Sequence, residues 1–329
     1  MKSIVTGGAG FIGSHLVDAL LDLGHEVTVL DNFSTGRREN LDHVKNKINL
    51  FECDLALSGE WTSYFNNIDW VFHLAALADI VPSIQKPEAY FRANVNGTFN
   101  VLQASKNANI KRFLYAASSS CYGIPDQYPT PENAEVRPQY PYALTKRIGE
   151  ELVLHWAQVY KLNALSCRFF NVYGTRSRTA GTYGAVFGVF LAQKIANQPL
   201  TVVGDGNQTR DFTYVTDIVQ ALITAAQSDQ SGKIYNVGSG YTVSVNRIVE
   251  LLNCEKVYIP KRPGEPDCTF ADITKIKQEL GWEPKVTIEN GISEVIKNIH
   301  YWRNAPVWTP NGIATATADW FKYLGSSNT

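Results

Sequence analysis

Two residues suited to acid–base chemistry stand four positions apart in the stretch "YPYALTK": Tyr142 and Lys146. On a helix this spacing places both side chains on one face. A free tyrosine titrates at about pH 10, and a neighbouring ammonium favours the phenolate and so lowers the tyrosine pKa. The two residues are then able to exchange a proton with a substrate hydroxyl. The same spacing also arises by chance on helices, so the rest of the chain must decide.

Three consecutive serines, Ser118 to Ser120, follow an apolar run in "RFLYAASSSCYG". One interpretation is a strand that ends in a turn, where hydroxyls bind loose backbone groups. The other is that one of the serines contacts a substrate. The stretch by itself leaves both interpretations open.

A glycine motif, "TGGAGFIG", carries Gly7, Gly10 and Gly13 between a predicted strand and a predicted helix. Glycines let the backbone approach a pyrophosphate, whose charge then lies at the helix N-terminus. Asp31 ends the next predicted strand, 18 residues after Gly13, where a carboxylate binds a ribose diol and repels a 2′-phosphate. The motif therefore predicts NAD in preference to NADP, with Arg37 and Arg38 as solvated loop charges.

The elements that must position these residues alternate between apolar runs and helical patterns. Strands are predicted at "SIVTGG", "EVTVLD", "INLFECD", "DWVFHLAA", "RFLYAASSS" and "NALSCRFFNVYG", with helices between most of them. This alternation predicts an α/β fold with a doubly wound parallel sheet. We expect an NAD-binding Rossmann domain over residues 1–174 and a smaller, mainly substrate-binding lobe over 175–329. Elements near 208–238 are expected to return to the first domain.

Composition narrows the class of protein. The 329 residues carry a net charge of −1, which provides no bulk attraction to nucleic acid or to a membrane surface. The five cysteines are scattered, without a C-x-x-C, so neither a disulfide framework nor a metal site is expected. No run of 18 apolar residues and no signal peptide is visible. These features predict a cytoplasmic enzyme without a metal.

The motifs together resemble the extended short-chain dehydrogenase/reductases, and within them the nucleotide-sugar epimerases of the UDP-glucose and UDP-N-acetylglucosamine 4-epimerase type. The resemblance runs from Met1 to about Pro284 and rests on "TGGAGFIG", "LDN", "CDL", "HLAA", "SSSCYG", "YALTK", "RFFNVYG", "GDGNQTRDFTYVTD", "YNVGSG" and "RPGEPD". The stretch "TRSRTAGTYGAVFG" has no counterpart in that pattern, and the aromatic tail after residue 304 lies beyond it.

The resemblance implies a cofactor site and a catalytic serine, Ser118, beside Tyr142 and Lys146. The implied NAD contacts are Gly7, Gly10, Phe11, Ile12 and Gly13 at the pyrophosphate, Asp31, Asn32, Ser34, Thr35 and Gly36 at the adenosine ribose, Asp54 and Leu55 at adenine, Leu74, Ala75, Ala76 and Asn94 along the trough, and Tyr142, Lys146 and Phe170 towards the nicotinamide. His73, at a strand end, is interpreted as structural.

The resemblance also implies the substrate contacts. These are Ser118, Ser119 and Tyr142 at the sugar, Asn171 at the sugar or diphosphate, Arg210 and Arg262 at the diphosphate, Thr201 and Val202 within the nucleobase segment 200–206, and Thr269 at the C2 substituent of the sugar. Thr269 is small, so the pocket is expected to admit an N-acetyl group as well as a plain hexose. A second interpretation makes Thr269 an ordinary strand residue.

The implied activity is NAD-dependent 4-epimerisation of a UDP-sugar through a 4-keto sugar. Related 4,6-dehydratases carry an aspartate and a glutamate where this chain has Ser119 and Ser120, which disfavours elimination. A UDP-uronate epimerase or decarboxylase is the runner-up, and a non-catalytic NAD-binding regulator is the alternative from another class. The family further implies a homodimer through helices near 88–108 and 142–161, with Phe99, Val101, Leu102, Leu152, Leu154 and Trp156 as candidate interface residues.

Overall fold

A seven-stranded parallel sheet forms the centre of the molecule in the computed structural model, which describes residues 1–177 and 186–325. Its strand order is β11-β6-β5-β4-β1-β2-β3. The strands are β1 (Lys2–Thr6), β2 (Glu26–Asp31), β3 (Ile48–Glu52), β4 (Trp70–His73), β5 (Arg112–Ser118), β6 (Ala164–Phe169) and β11 (Lys233–Val237). The predicted doubly wound α/β fold is confirmed. The stretch "TRSRTAGTYGAVFG", residues 175–188, which has no counterpart in the family pattern, lies largely outside the described residues.

Helices cover both faces of this sheet, which is why its strands are apolar along their whole length. One face packs against α1 (Phe11–Asp22), α7 (Val215–Gln227) and α9 (Thr274–Leu280). The other packs against α4 (Gly97–Asn107) and α5 (Pro141–Tyr160). Two short helices, α2 (Ile80–Gln85) and α3 (Pro87–Phe91), and a π-helical turn at Arg92–Asn96 precede α4. The carboxyl ends of the strands are left open between these layers.

Within the described residues, a second lobe contains three two-stranded sheets and its own hydrophobic core, which includes Trp302. Its strands are β7 (Asn171–Tyr173), β8 (Leu200–Val203), β9 (Thr209–Arg210), β10 (Phe212–Tyr214), β12 (Val243–Ser244) and β13 (Lys256–Ile259), paired as β7–β10, β8–β13 and β9–β12. Its helices are α6 (Val186–Ile195), α8 (Val245–Leu252), α10 (Ile288–Lys297), α11 (Pro310–Ala316) and α12 (Ala318–Leu324). The chain forms β7 to β10 in this lobe before it returns to the central sheet as β11.

The single strand predicted over residues 163–174 is divided in the structure. β6 ends at Phe169 in the central sheet, and β7 begins at Asn171 in the second lobe. The amide of Phe170 donates to the carbonyl of Val237, so this residue still follows the edge strand β11. The chain therefore crosses between the two lobes at Phe170.

Several of the residues predicted for a dimer interface belong instead to the interior. Val101, Leu102 and Trp156 are buried in the core between α4, α5 and the sheet. Their positions on these helices face the strands, because a helix that covers a sheet must bury one stripe of its surface. Phe99 is 42% exposed, and its ring lies edge-on to Trp156 with 5.6 Å between centroids. Leu152 and Leu154 are partly buried.

None of the described helices is long and apolar enough to cross a bilayer.

Candidate active site

A cavity of about 700 Å³ opens at the carboxyl ends of the central strands and continues into the second lobe. Ligand sites of open α/β sheets lie at this edge, where the strand order reverses on either side of β1. The predicted cofactor residues line it with one exception, and so do Ser118, Ser119, Asn171, Thr201, Arg210, Arg262 and Thr269. Cofactor-type and substrate-type residues therefore share one continuous cavity.

The glycine motif forms the floor of the cavity where α1 begins. Gly7 has φ +68°, and a Cβ there would lie 2.8 Å from the backbone of Ala75. A Cβ at Gly13 would lie 2.2 Å from the carbonyl oxygen of Gly7. Side chains are thus excluded at these two glycines, and residues 10–13 at the start of α1 line the cavity, where the helix presents the positive end of its dipole. This surface fits a pyrophosphate.

Asp31 lies at the carboxyl end of β2, where its carboxylate accepts hydrogen bonds from the amides of Ala9, at 2.9 Å, and Phe33, at 2.8 Å. Burial raises the pKa of Asp31, and these two hydrogen bonds oppose the rise.

Arg38 forms an ion pair with Glu52 and lies over the Phe33 ring, 3.8 Å from its centroid. Arg37 is not simply a solvated loop charge, because it lines the cavity 4.7 Å from the Tyr301 ring centroid.

Two predicted contact residues do not line the cavity. Asn94 is buried in the π-helical turn, where its amide side chain donates to and accepts from the backbone of Leu77 and donates to Thr145. It fixes the loop after β4 from behind. Val202 points into the core of the second lobe, because side chains alternate along β8 and only Thr201 and Val203 face the cavity.

The three predicted catalytic residues meet where β5 ends beside the first turns of α5. The hydroxyl of Ser118 is 2.7 Å from that of Ser120 and accepts the Ser120 amide at 3.2 Å. Burial raises the pKa of Tyr142, against the effect of hydrogen bonds to Ser118 and Ser120. Burial also lowers the pKa of Lys146 to about 7, against the charge of Glu150. The lowered tyrosine pKa expected from Lys146 is therefore wrong here, since desolvation drives both groups towards their neutral forms.

Beneath Lys146 lies a charge network that the sequence analysis missed. Glu150, one turn further along α5, receives Arg168 Nη2 at 2.7 Å and Arg147 Nη1 at 2.7 Å on the same carboxylate oxygen. The Ser166 hydroxyl donates to the other oxygen at 2.8 Å. Burial would raise the pKa of Glu150, but the hydrogen bond and charge of Arg168 bring it below its usual range. The only signal in the sequence was a glutamate four positions after Lys146.

His73 has the contacts of a structural residue, because both of its ring nitrogens lie against buried hydroxyl groups of neighbouring elements. Its Nδ1 lies 2.7 Å from the Thr6 hydroxyl and its Nε2 lies 3.0 Å from the Thr98 hydroxyl. Burial lowers the pKa of His73 to about 3. The imidazole is therefore neutral, and each of its ring nitrogens has a threonine hydroxyl as partner. Through these contacts the ring ties β4 to β1 and α4.

At the other end of the cavity, two arginines converge on one carboxylate. Arg210 Nη2 lies 2.9 Å from Glu265 Oε1, and Arg262 Nη1 lies 3.7 Å from Glu265 Oε2. Glu265 was not singled out from the sequence, although it follows Arg262 by three positions in "RPGEPD". Two guanidinium groups within reach of one anionic group form a surface suited to phosphate oxygens. Nearby, the Thr269 hydroxyl donates to Asn171 Oδ1 at 2.7 Å.

The aromatic tail also contributes to the cavity wall. Trp308 and Trp320 line the cavity, as does Tyr301 shortly before the tail, whereas Phe321 and Tyr323 are exposed. The tail thus packs back on the same chain. Among the described residues, no group of three histidine, cysteine or carboxylate side chains is placed to hold a metal ion.

The sequence model of the NAD dependent epimerase/dehydratase family matches residues 3–238. The chain belongs to this family. The UDP-glucose 4-epimerase of Mycolicibacterium smegmatis is 34% identical over 316 residues, covering 92% of this chain and 99% of its own. The UDP-glucuronic acid decarboxylase 1 of Arabidopsis thaliana is 33% identical over 311 residues, covering 91% and 69%. The UDP-glucuronic acid 4-epimerase of Bacillus cereus, solved with UDP-glucuronic acid and NAD, has a TM-score of 0.85 at 30% identity, covering 91% and 99%.

Membership in the NAD dependent epimerase/dehydratase family sets the cofactor as NAD, and the cavity fits it. The Gly7–Gly13 turn suits the pyrophosphate, and Asp31 suits the adenosine ribose at the end of β2. Lys146 and Tyr142 lie towards the opposite part of the sheet edge, on α5. The relatives act on several UDP-sugars, so the family alone does not select one.

Proposed function

We propose that this protein is an NAD-dependent 4-epimerase of a UDP-sugar. The observation that carries the proposal is that one cavity is lined by both groups of residues, the catalytic ones and the arginine cluster. Ser118, Tyr142 and Lys146 line it beside the cofactor trough, and the cluster of Arg210, Arg262 and Glu265 lines it in the second lobe. A nucleotide sugar held by its diphosphate at the arginines would extend its sugar towards Tyr142.

The proposed chemistry begins with proton transfer at the sugar C4 hydroxyl. Tyr142, as the phenolate formed when its own proton passes to the neutral Lys146 amine, takes the hydroxyl proton while Ser118 holds the same oxygen by a hydrogen bond, and the carbon becomes a ketone. NAD, when bound, supplies the hydride acceptor and then the hydride donor, so no net oxidation occurs. After the keto sugar turns over, Tyr142 returns the proton to the C4 oxygen. The raised pKa of Tyr142 favours this return step and opposes the first one, in which the charge of Lys146 has to stabilise the phenolate.

Lys146 acts on Tyr142 and the nicotinamide ribose rather than on the sugar in this proposal. Its ammonium is poised, because burial places its pKa at about 7. A lysine that gains and loses charge near neutral pH assists a neighbouring proton transfer in either direction. The Glu150 network one turn away opposes the loss of that charge.

Elimination of water is disfavoured by the serines at positions 119 and 120. Ser120 is engaged with Ser118, and neither serine hydroxyl has the acidity of the carboxyl groups that a dehydratase uses there. UDP-uronate epimerisation or decarboxylation remains the second candidate function, because relatives with these activities match most of the chain.

Thr269 supports acceptance of a UDP-N-acetylhexosamine. Its side chain is small, lines the cavity, and is held by Asn171, another cavity residue. A tyrosine at this position would project into the cavity, whereas threonine leaves space for an acetamido group. The proposed substrates are therefore UDP-N-acetylglucosamine/galactosamine, with UDP-glucose/galactose also admitted.

We propose a homodimer through α4 and α5, with a revised set of contact residues. Large apolar side chains that are exposed on or near these helices are Phe91, Phe99, Leu144, Val159 and Tyr160. Burial of such side chains against a second copy is favourable, and a monomeric mass in light scattering at micromolar concentration would refute the dimer.

The function is tested by incubating the purified protein with a panel of UDP-sugars and identifying the products by NMR. Inversion at C4 without net consumption of NAD supports the proposal. Loss of the C6 carboxyl as carbon dioxide would instead identify a decarboxylase, and absence of turnover with every sugar would favour a non-catalytic NAD-binding regulator. Denatured protein should release NAD, since a cofactor that is regenerated in each cycle has no need to leave.

A further inference from the structure

The C-terminal segment, residues 299–325, runs along the cavity from its cofactor part to its substrate part. At one end the Tyr301 hydroxyl donates to Asn40 Oδ1 at 2.8 Å, next to the Asp31 loop. At the other end the Gln85 side-chain amide donates to Asp319 at 2.8 Å, which ties α12 to α2. The family sequence model ends at residue 238, so this segment lies outside it. It nevertheless supplies part of the cavity wall.

Trp320 is the residue of this segment that contacts the arginine loop of the proposed substrate site. It is only 4% exposed, and its indole Nε1 donates to the carbonyl of Pro263 at 2.7 Å. The guanidinium carbon of Arg262 lies 5.3 Å from its ring centroid. Since Pro263 follows Arg262 directly, Trp320 fixes the backbone of the arginine loop and also contacts the arginine itself.

The same indole also lies near the catalytic residues. Its ring centroid is 6.4 Å from that of Tyr140, and the Tyr140 ring is stacked nearly parallel to Tyr142, again with 6.4 Å between centroids. Trp320 therefore contacts a neighbour of the catalytic tyrosine and a member of the arginine cluster at once. A sugar placed between these two groups would lie near the indole, which lines the same cavity.

We propose that Trp320 is a specificity-determining residue that packs its indole against the sugar ring of the UDP-sugar. This inference rests on the proposed function and assigns a role to a residue outside the family sequence model. The indole N–H already donates to Pro263, and the ring lines the cavity, so the part of the ring that Arg262 leaves uncovered offers the cavity an apolar surface. Such a surface suits the C–H face of a pyranose, and it distinguishes a UDP-sugar from UDP alone.

The test is calorimetric titration of the NAD-loaded protein in a Tyr142→Phe background, which binds a sugar without converting it. Trp320→Ala should weaken binding of UDP-glucose and UDP-N-acetylglucosamine by about 5- to 10-fold, as expected for loss of one aromatic contact. Binding of UDP should weaken less than binding of either UDP-sugar, because UDP loses only the support that Trp320 gives to the arginine loop. Phe321→Ala, on the same helix but exposed and outside the cavity, is the matched control and should bind all three ligands normally.

Equal loss of affinity for UDP and for the UDP-sugars would overturn the inference, because Trp320 would then act only through the arginine loop. Unchanged binding of every ligand would overturn it as well. If Trp320→Ala fails to fold, judged by its melting temperature and NAD content, Trp320→Leu carries the test, since it keeps apolar volume but lacks the flat ring.

The outcomes separate this inference from the proposed function. A protein that binds UDP-sugars through Trp320 but epimerises none refutes the epimerase and leaves the role of Trp320 standing. A protein that epimerises them, yet binds them equally well as Trp320→Ala, refutes only the role of Trp320. A protein that binds no UDP-sugar refutes both.

Discussion

Replacement of Glu150 by glutamine should destabilise the protein far more than replacement of its neighbour Glu151. Glu150 and Arg168 are each 1% exposed and paired at 2.7 Å. Glutamine at position 150 leaves the Arg168 guanidinium buried without a countercharge, and removal of one partner of a buried ion pair costs about 3–5 kcal/mol. Glu151 is exposed and pairs with Arg147 at 2.9 Å, so Glu151→Gln should cost at most about 0.5 kcal/mol.

The assay is urea unfolding at pH 7, followed by circular dichroism, on wild type and both variants. The stability difference between wild type and Glu150→Gln should shrink as the pH falls. The pKa of Glu150 is lower in the folded protein than in the unfolded chain, so its contribution is complete above the unfolded value of about 4.3 and is lost as the pH falls through the folded value.

A second comparison separates the buried charge from lost packing. Adding Arg168→Met to Glu150→Gln removes the uncompensated guanidinium, so the double variant should be more stable than Glu150→Gln alone. A loss below about 1 kcal/mol for Glu150→Gln, or a loss as large for Glu151→Gln, would refute the reasoning.

Four further outcomes are expected. Tyr142→Phe should lower turnover by about 100- to 10,000-fold with melting temperature and NAD content unchanged, and near-normal turnover would assign the proton transfer elsewhere. Lys146→Met should raise the melting temperature more at pH 6 than at pH 9.5. The free-energy cost of burying the Lys146 ammonium is complete below its folded pKa of about 7 and fades as the pH rises towards its unfolded pKa of about 10. An equal gain in melting temperature at both pH values would contradict this. Thr269→Tyr should abolish turnover of UDP-N-acetylglucosamine and spare UDP-glucose, and equal losses would remove Thr269 as the selecting residue. Gly13→Ala should purify without NAD, since its Cβ would lie 2.2 Å from the Gly7 carbonyl oxygen, whereas Gly97→Ala, with nothing nearer than 3.9 Å, should retain it.

The elements carrying the chemistry were predictable because their signals are local. β2 has the bounds predicted from "EVTVLD", and α5, expected near 142–161, begins at Pro141, a proline at the first helical position. The glycine turn and Asp31 have fixed spacing along the chain. Each of these features depends on residues that are close in sequence.

The errors concern side chains whose direction depends on distant partners. The alternation along β8 assigns either Val202 or Val203 to the cavity, and only the packing against the second-lobe core decides between them. Asn94 is turned away from the cavity by the backbone of Leu77. Trp320 lies 178 positions after Tyr142, so no local pattern indicates that it approaches the catalytic end of the cavity.

The order in which the chain is made constrains how this protein can acquire its shape. β11 pairs with β6 at one edge of the central sheet, yet every residue from Asn171 to Tyr214 that builds β7, β8 and β10 is synthesised before it. A nascent chain that stops at residue 174 would expose the full hydrogen-bonding edge of β6, and open strand edges recruit other chains. Expression of residues 1–174 alone should therefore yield aggregates, and a fragment intended to bind NAD by itself would have to include β11.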